Sequence, residues 1–506
     1  MTKVASIKIL LLLFASILIG CEKFDNYSTN PNHALTFSVD TISFDTIFSS
    51  VGSVTKQFVV YNPNDEALKI ESIQLANTGK SGFRINVDGR KGDQFKNIDI
   101  WGKDSLYILV EVTVNPSGQN QPLVVEDSIM FYTNGNRQSV LLQAYGQDVH
   151  LIKGGVVYDK DITFTADKPY LIYDSIMIAE GATFTVDKGA TLYMHNKASL
   201  IISGTMKAVG TMDEPIVIRG DRLDSFEAGI SVPYDCVPGQ WGGIYFAESS
   251  FNNEFDYVFV RNGTSGLVYW KSDPEKMKMQ ISNSQITNMD GNVLMAIDCQ
   301  IEAVNSEFSN AAGASVALVG GVYHFIHCTI NNQQKIGKSR DPLARTLMLS
   351  NVIKKEKEET TYHSLKQAYF DNCIIDGSYQ ADSTRLYQGE ISFSPSDEND
   401  IKGNNETFNY RFNSCFIKTA RVTDNDRFIN DLYIYSPTYL KTGGKDNTYA
   451  YDFRLKNESV GIGKADRTIS EEYPVDRYGV NRLTSEYGPS IGAYEYVYQE
   501  EEENKK

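Results

Sequence analysis

An all-β chain, most of it a stacked parallel β-helix, is predicted by three observations. Asn283, Asn305 and His327 recur every 22 residues, within ISNSQITN (281–288), EAVNSEFSN (302–310) and FIHCTINN (325–332). Each recurrence brings a small residue next (Ser284, Ser306, Cys328), then an apolar one (Ile286, Phe308, Ile330) and a closing Asn (288, 310, 332). The alternation is that of strands and shows no helical face. A fixed period of this size marks units that bury their apolar side only by stacking. A leucine-rich repeat has a similar length, but Leu is sparse between 251 and 332 while Ile, Val, Phe and Tyr dominate.

The same template fits FDYVFVRN (255–262), FDNCIIDG (370–377) and FNSCFIKT (412–419), with wider spacings that leave room for loops. Stacked turns lie roughly 4.8 Å apart, so like residues form vertical ladders. Asn at a bend tolerates the left-handed conformation, and stacked Asn amides can bond to one another.

From the start, Lys3 and Lys8 precede an apolar run from Ile9 to Ile19 that is too short to span a membrane comfortably and reads as a signal-peptide core. It ends Leu18-Ile19-Gly20-Cys21. This resembles the lipobox of bacterial lipoproteins, which implies removal of 1–20, lipidation of Cys21 and attachment to a membrane through that lipid. Residues 21–34, polar and with Pro31, read as a tether.

Residues 35–148 carry short alternating strands: SVDTISFDTIF (38–48), KQFVVYN (56–62), ALKIESIQLAN (67–77), SLYILVEVTVNP (105–116), EDSIMFYTNGN (126–136) and SVLLQAYGQD (139–148). Turn signals at Asn62-Pro63-Asn64-Asp65, Gly102-Lys103-Asp104 and Asn134-Gly135 separate them, the last reading as a tight hairpin. This spacing predicts an immunoglobulin-like β-sandwich, without a disulfide pin, serving as a spacer.

The β-helix is expected over 149–450. Gly181 and Gly189 open two early turns as corner residues, and no phosphate-binding Gly-rich loop is present. LIISGTM (200–206) and GQWGGIYF (239–246) follow. These turns resemble the opening of right-handed parallel β-helix proteins of the pectate-lyase-like superfamily. The segment 451–498, ending PSIGAYEY (489–496), is similar to the C-terminal closure of Bacteroidetes surface lipoproteins of that shape. It is expected to cap the open last turn, with Arg454, Arg482 and Glu495 as ion pairs. The resemblance implies an outer-membrane or cell-surface location. Residues 499–506 read as an acidic, solvated tail.

The formal net charge is −16 over 506 residues, which argues against nucleic acid as a partner. An acidic surface leaves calcium open, but no cofactor is expected from any motif. Cys328, Cys373 and Cys415 share one column and read as buried thiols. His324, His327 and Cys328 lie close in sequence, yet residues three apart on a strand face opposite ways, so no metal site is expected. Asp290, Asp298, Glu302 and Glu307 form no fixed carboxylate set. Arg340, Arg345, Lys354, Lys355 and Lys357 read as an exposed charged loop. Tyr245, Tyr257, Tyr269, Trp270 and Tyr323 are the candidates for a ligand-facing aromatic strip. The function expected is binding of a polysaccharide or a surface protein through a lateral face, with no catalytic residue assigned. The alternative is a polysaccharide lyase or glycoside hydrolase working in a lateral groove.

Overall fold

The computed structural model describes residues 27–118, 123–227, 231–354, 359–380, 389–397, 407–420, 422, 426–433, 436–443 and 449–500. Two compact units meet in sequence at Asp148 and Val149. Cys21, Lys355 and Lys357 lie outside the described residues.

The first unit is a β-sandwich of two five-stranded sheets. One contains Thr36–Phe37, Lys56–Tyr61, Ser105–Val112, Phe83–Val87 and Arg90–Gly92; the other contains Thr41–Phe48, Asn136–Gln147, Leu123–Thr133, Leu68–Leu75 and Gln94–Ile100. Pairing is antiparallel except where Thr41–Phe48 runs parallel to Asn136–Gln147. Alternation along Leu68–Leu75 sends Leu68, Ile70, Ile73 and Leu75 into the core. Asn134 and Gly135 both take positive φ, as the predicted tight hairpin requires. The strands between 83 and 100 escaped the sequence reading because Gly and Lys interrupt their alternation. Residues 27–34 do not hang free: Ser28 N donates to Ala67 O (2.9 Å), and Asn134 Nδ2 donates to Asn30 O (3.2 Å).

The second unit is a parallel β-helix of three sheets. One rung runs Gln285–Met289, Leu294–Ile297 and Gln300–Val304, and these strands belong to sheets I, II and III in turn. Sheets I and III have ten strands and sheet II nine, all parallel. Inward columns build the core, as in Leu200–Ile244–Leu267–Leu294 of sheet II. In sheet III, Phe325, Phe370, Phe412 and Phe428 stack with centroids 5.2, 5.0 and 5.2 Å apart. Burying each such ring contributes roughly 1.5–3 kcal/mol.

The column read from the sequence is the corner between sheets III and I. Tyr257, Asn283, Asn305, His327, Asn372 and Ser414 all hold φ between 47° and 55° there. The next column explains its small residues. Ser284 Oγ accepts Val258 N (3.0 Å), Ser306 Oγ accepts Ser284 N (3.1 Å), Cys373 Sγ accepts Cys328 N (3.4 Å) and Cys415 Sγ accepts Cys373 N (3.3 Å). The left-handed corner leaves that N–H outside the sheet ladder, and the hydroxyl or thiol of the following rung satisfies it. Asp431 ends the column by accepting Cys415 N at 2.7 Å.

The C-terminal segment is not the expected end cap. The last rung is covered by Phe428–Ile429 and Leu432. The segment 451–496 lies instead along the outer face of sheet I as a lateral strap. Ile374 and Phe416 of sheet I share an apolar cluster with Phe453, Leu455, Ile491 and Tyr494 of the strap. Polar contacts join it to successive corners: Arg482 Nη2 donates to Asn305 Oδ1 (3.0 Å), His327 Nε2 meets Ser470 Oγ (3.0 Å) and Asp466 N donates to Asn372 Oδ1 (2.6 Å). The Asn amides therefore serve the strap more than one another; Asn305 Nδ2 to Asn283 Oδ1 is a long 3.4 Å. Arg482 and Glu495 form the expected pair, fully buried at 3.6 Å, whereas Arg454 pairs with Asp452.

Candidate functional site

Side chains pointing out of sheet II form an open apolar ladder. It runs from Val157 and Met177 through Ile201, Tyr245, Val268 and Met295 to Ala317 and Met348, each in register with the next. Eight rungs at roughly 4.8 Å give a stripe about 34 Å long. Val157 is 58% exposed and Met177 38%. In the neighbouring column Ile297 pairs with Val319, and Trp270, 48% exposed, stands at the equivalent position one rung back. Tyr245 and Trp270 lie 6.4 Å apart with rings inclined at 47°. A contiguous apolar surface of this kind is uncommon on soluble proteins.

The other predicted aromatics lie elsewhere. Tyr269 and Tyr323 are fully buried and face the core, in phase with Leu267 and Phe325 on their strands; burial pushes both phenols well above their ordinary pKa. Tyr257 occupies the corner between sheets III and I. The strip is thus two aromatics set among aliphatic side chains.

The candidate metal and acid groups do not converge. His324 faces Asp371 across 2.6 Å, His327 sits under the strap, and the Cys328 thiol points at backbone carbonyls. Asp290 pairs with Lys338, Asp298 with His363 (2.6 Å), and Glu307 accepts from Gln285 (3.0 Å) and Tyr494. Glu302 lies on sheet III between Gln280 and His324. Among the described residues no group of three or more His, Cys, Asp or Glu is placed to hold a metal ion. Arg340 lies in an exposed loop, but its own side chain turns inward: two of its guanidinium nitrogens bind Glu390 at 2.8 and 2.9 Å, and the side chain is 5% exposed.

A polar patch that sequence reading missed occupies the early rungs of sheet I, as far as the strand Val258–Arg261, where Arg477 of the strap lies over Phe259 (4.9 Å). Tyr193, Arg219 and Arg261 form one outward column. Asp235 meets Arg261 Nε at 2.6 Å and Arg219 Nη1 at 3.2 Å. Burial draws the Arg219 guanidinium below its ordinary pKa, opposed by Asp235. Beside it Tyr173 stacks on His195 (4.0 Å, 20°), and His195 Nδ1 meets Asp221 at 2.6 Å. The Trp241 indole donates to Arg261 O (2.8 Å) and steadies the strand. Apart from Arg261, which lies in the 255–262 unit, these residues fall outside the repeat, so only the in-register pairing of their strands could have flagged them.

No family model matches the chain. A 115-residue stretch is 32% identical to Protein bark beetle of Drosophila melanogaster, over 22% of this chain and 4% of that protein. The chain thus corresponds to a small part of that relative. The catalytic domain of a GH87 α-1,3-glucanase aligns with 73% of this chain and 82% of its own at 10% identity and a TM-score of 0.17. A family 123 glycoside hydrolase from Clostridium perfringens aligns with 26% of this chain and 30% of its own at 7% identity and 0.18. Scores at this level carry no functional argument.

Proposed function

We propose that this protein is a lipid-anchored envelope protein, held by Cys21 at the outer membrane or cell surface, that binds a protein or glycan partner along sheet II. The sandwich, read as immunoglobulin-like, acts as a spacer. The single observation that carries the reading is the outward ladder from Val157 to Met348. Its Met, Val, Ile and Ala side chains suit the apolar surface of a protein, because Met adapts to irregular partners. Its Tyr245–Trp270 pair suits the face of a sugar ring. A photo-crosslinking residue at Met295 should give a discrete adduct in producing cells, and one at Glu302 on sheet III should not. Loss of the adduct in Val268→Asp supports the reading; equal adducts from both positions refute it.

The sheet I patch favours a second reading, a polysaccharide lyase or glycoside hydrolase. His195 with Asp221, and Arg219 and Arg261 around Asp235, bring acid–base and cationic groups onto one face. Release of unsaturated or reducing ends from a polysaccharide panel, lost in His195→Ala, would establish it.

A further inference from the structure

We propose that the C-terminal segment holds a binding site for an organic ammonium group, in an open cleft of about 850 Å³ between 456–462, Tyr487 and 496–500. The site is independent of the sheet II face and of the sheet I patch.

Tyr496, Leu440 and Ile462 are among its lining residues. Tyr496 is only 6% exposed, and its hydroxyl donates to Asn457 Oδ1 at 2.9 Å, so the ring is fixed. Asn457 and Gln499 clamp the walls: Asn457 Nδ2 donates to Gln499 O (2.8 Å) and Gln499 N donates to Asn457 Oδ1 (3.1 Å). Tyr487 stands edge-to-face with Tyr496, centroids 5.3 Å apart and planes at 79°. Tyr487 and Tyr498 also line the cleft and are 47% and 59% exposed.

Charge selects the ligand. Glu458 and Glu500 line the cleft, and Glu486 bonds the Tyr487 hydroxyl, against one cation, Lys456, among the described lining residues. The hydrogen bond to Glu486 raises the Tyr487 pKa, with burial and the charges of Glu486, Tyr496 and Tyr498 adding to it. The amides of Asn457 and Gln499 are committed to the scaffold. The groups left for a ligand are π-faces, phenol oxygens and carboxylates, all of which favour a positive charge. A neutral sugar would lack the charge that this set selects.

The ammonium has two sources, a quaternary ammonium such as choline or a lysine side chain of a partner. The full chain is titrated by calorimetry with choline, with Nα-acetyl-lysine methylamide and with 3,3-dimethylbutanol, the neutral isostere of choline. Saturable binding of one or both cations is expected, with the neutral isostere at least about tenfold weaker. The tighter of the two cations identifies the source. Tyr498→Ala should weaken binding roughly tenfold while Tyr498→Phe stays within about twofold. Glu500→Gln should weaken it a few-fold. The proposal is overturned by failure of both cations to bind, by equal binding of the isostere, or by unchanged affinity in Tyr498→Ala.

Discussion

Ser306→Ala tests the corner column directly. In the native protein Ser306 Oγ accepts Ser284 N (3.1 Å) and donates to Val304 O (2.7 Å), and the side chain is fully buried. Val304 O also accepts Asn283 N (3.1 Å), so it keeps a partner after the substitution. Ser284 N loses its acceptor. A buried donor left unpaired costs about 1–3 kcal/mol, or roughly 5- to 150-fold in a local opening equilibrium. Ser306→Cys should recover most of that cost, because Cys373 and Cys415 accept the same N–H in later rungs at 3.4 and 3.3 Å. With two compact units a single unfolding midpoint is ambiguous, so the assay is amide exchange read on peptides covering 281–288. Faster exchange there in Ser306→Ala, with recovery in Ser306→Cys, is expected. Equal exchange in wild type and Ser306→Ala, or a Cys variant as impaired as the Ala one, would refute the account.

Asn283→Val places a β-branched residue at φ 47° and should destabilise by about 1–2 kcal/mol, while Asn283→Gly stays near wild type, both by exchange at the same corner. Asp431 gives a pH dependence: burial raises its pKa from an ordinary 3.8 to about 8. A raised folded pKa means the contribution is full below about pH 4 and is lost as pH rises toward about 8. Asp431→Asn should therefore be the more stable protein at pH 8, with the difference shrinking toward pH 4, read by guanidinium-induced opening of the peptide covering 412–419 in amide exchange at each pH. Iodoacetamide should label Cys236, half-exposed, in the native protein, while Cys299, Cys328, Cys373 and Cys415 react only after denaturation, as read by peptide mass spectrometry.

The repeat was legible because it is periodic. Asn283, Asn305 and His327 mark real corners, and the template extends to Asn372, which keeps the Asn, and to Tyr257 and Ser414, where only the backbone angle is shared. Side-chain direction was legible in principle. Tyr269 follows Leu267 by two, so both face inward, and Trp270 faces out. Treating the aromatics as one group ignored that parity. Docking of the strap was not legible, since a non-repeating segment leaves no register in the sequence. Nor was the patch of His195, Asp221, Arg219, Arg261 and Asp235, whose members come from three rungs and a loop. The use of stacked thiols as acceptors was hidden for a different reason. Their column was visible, but the orphaned N–H they serve appears only once the corner geometry is known.

The lateral strap also sets an order of assembly. Its contacts reach back to Phe259, over whose ring the Arg477 guanidinium lies at 4.9 Å, and to Asn305, 177 residues before Arg482. Rungs can add one upon another by short-range pairing, but the strap is synthesised after all of them. Until it arrives, Ile374 and Phe416 stand bare on sheet I, and that interval is when a nascent molecule is most prone to stick to its neighbours. A ribosome stall or a proteolytic nick between 443 and 466 would prolong that interval without altering a single rung.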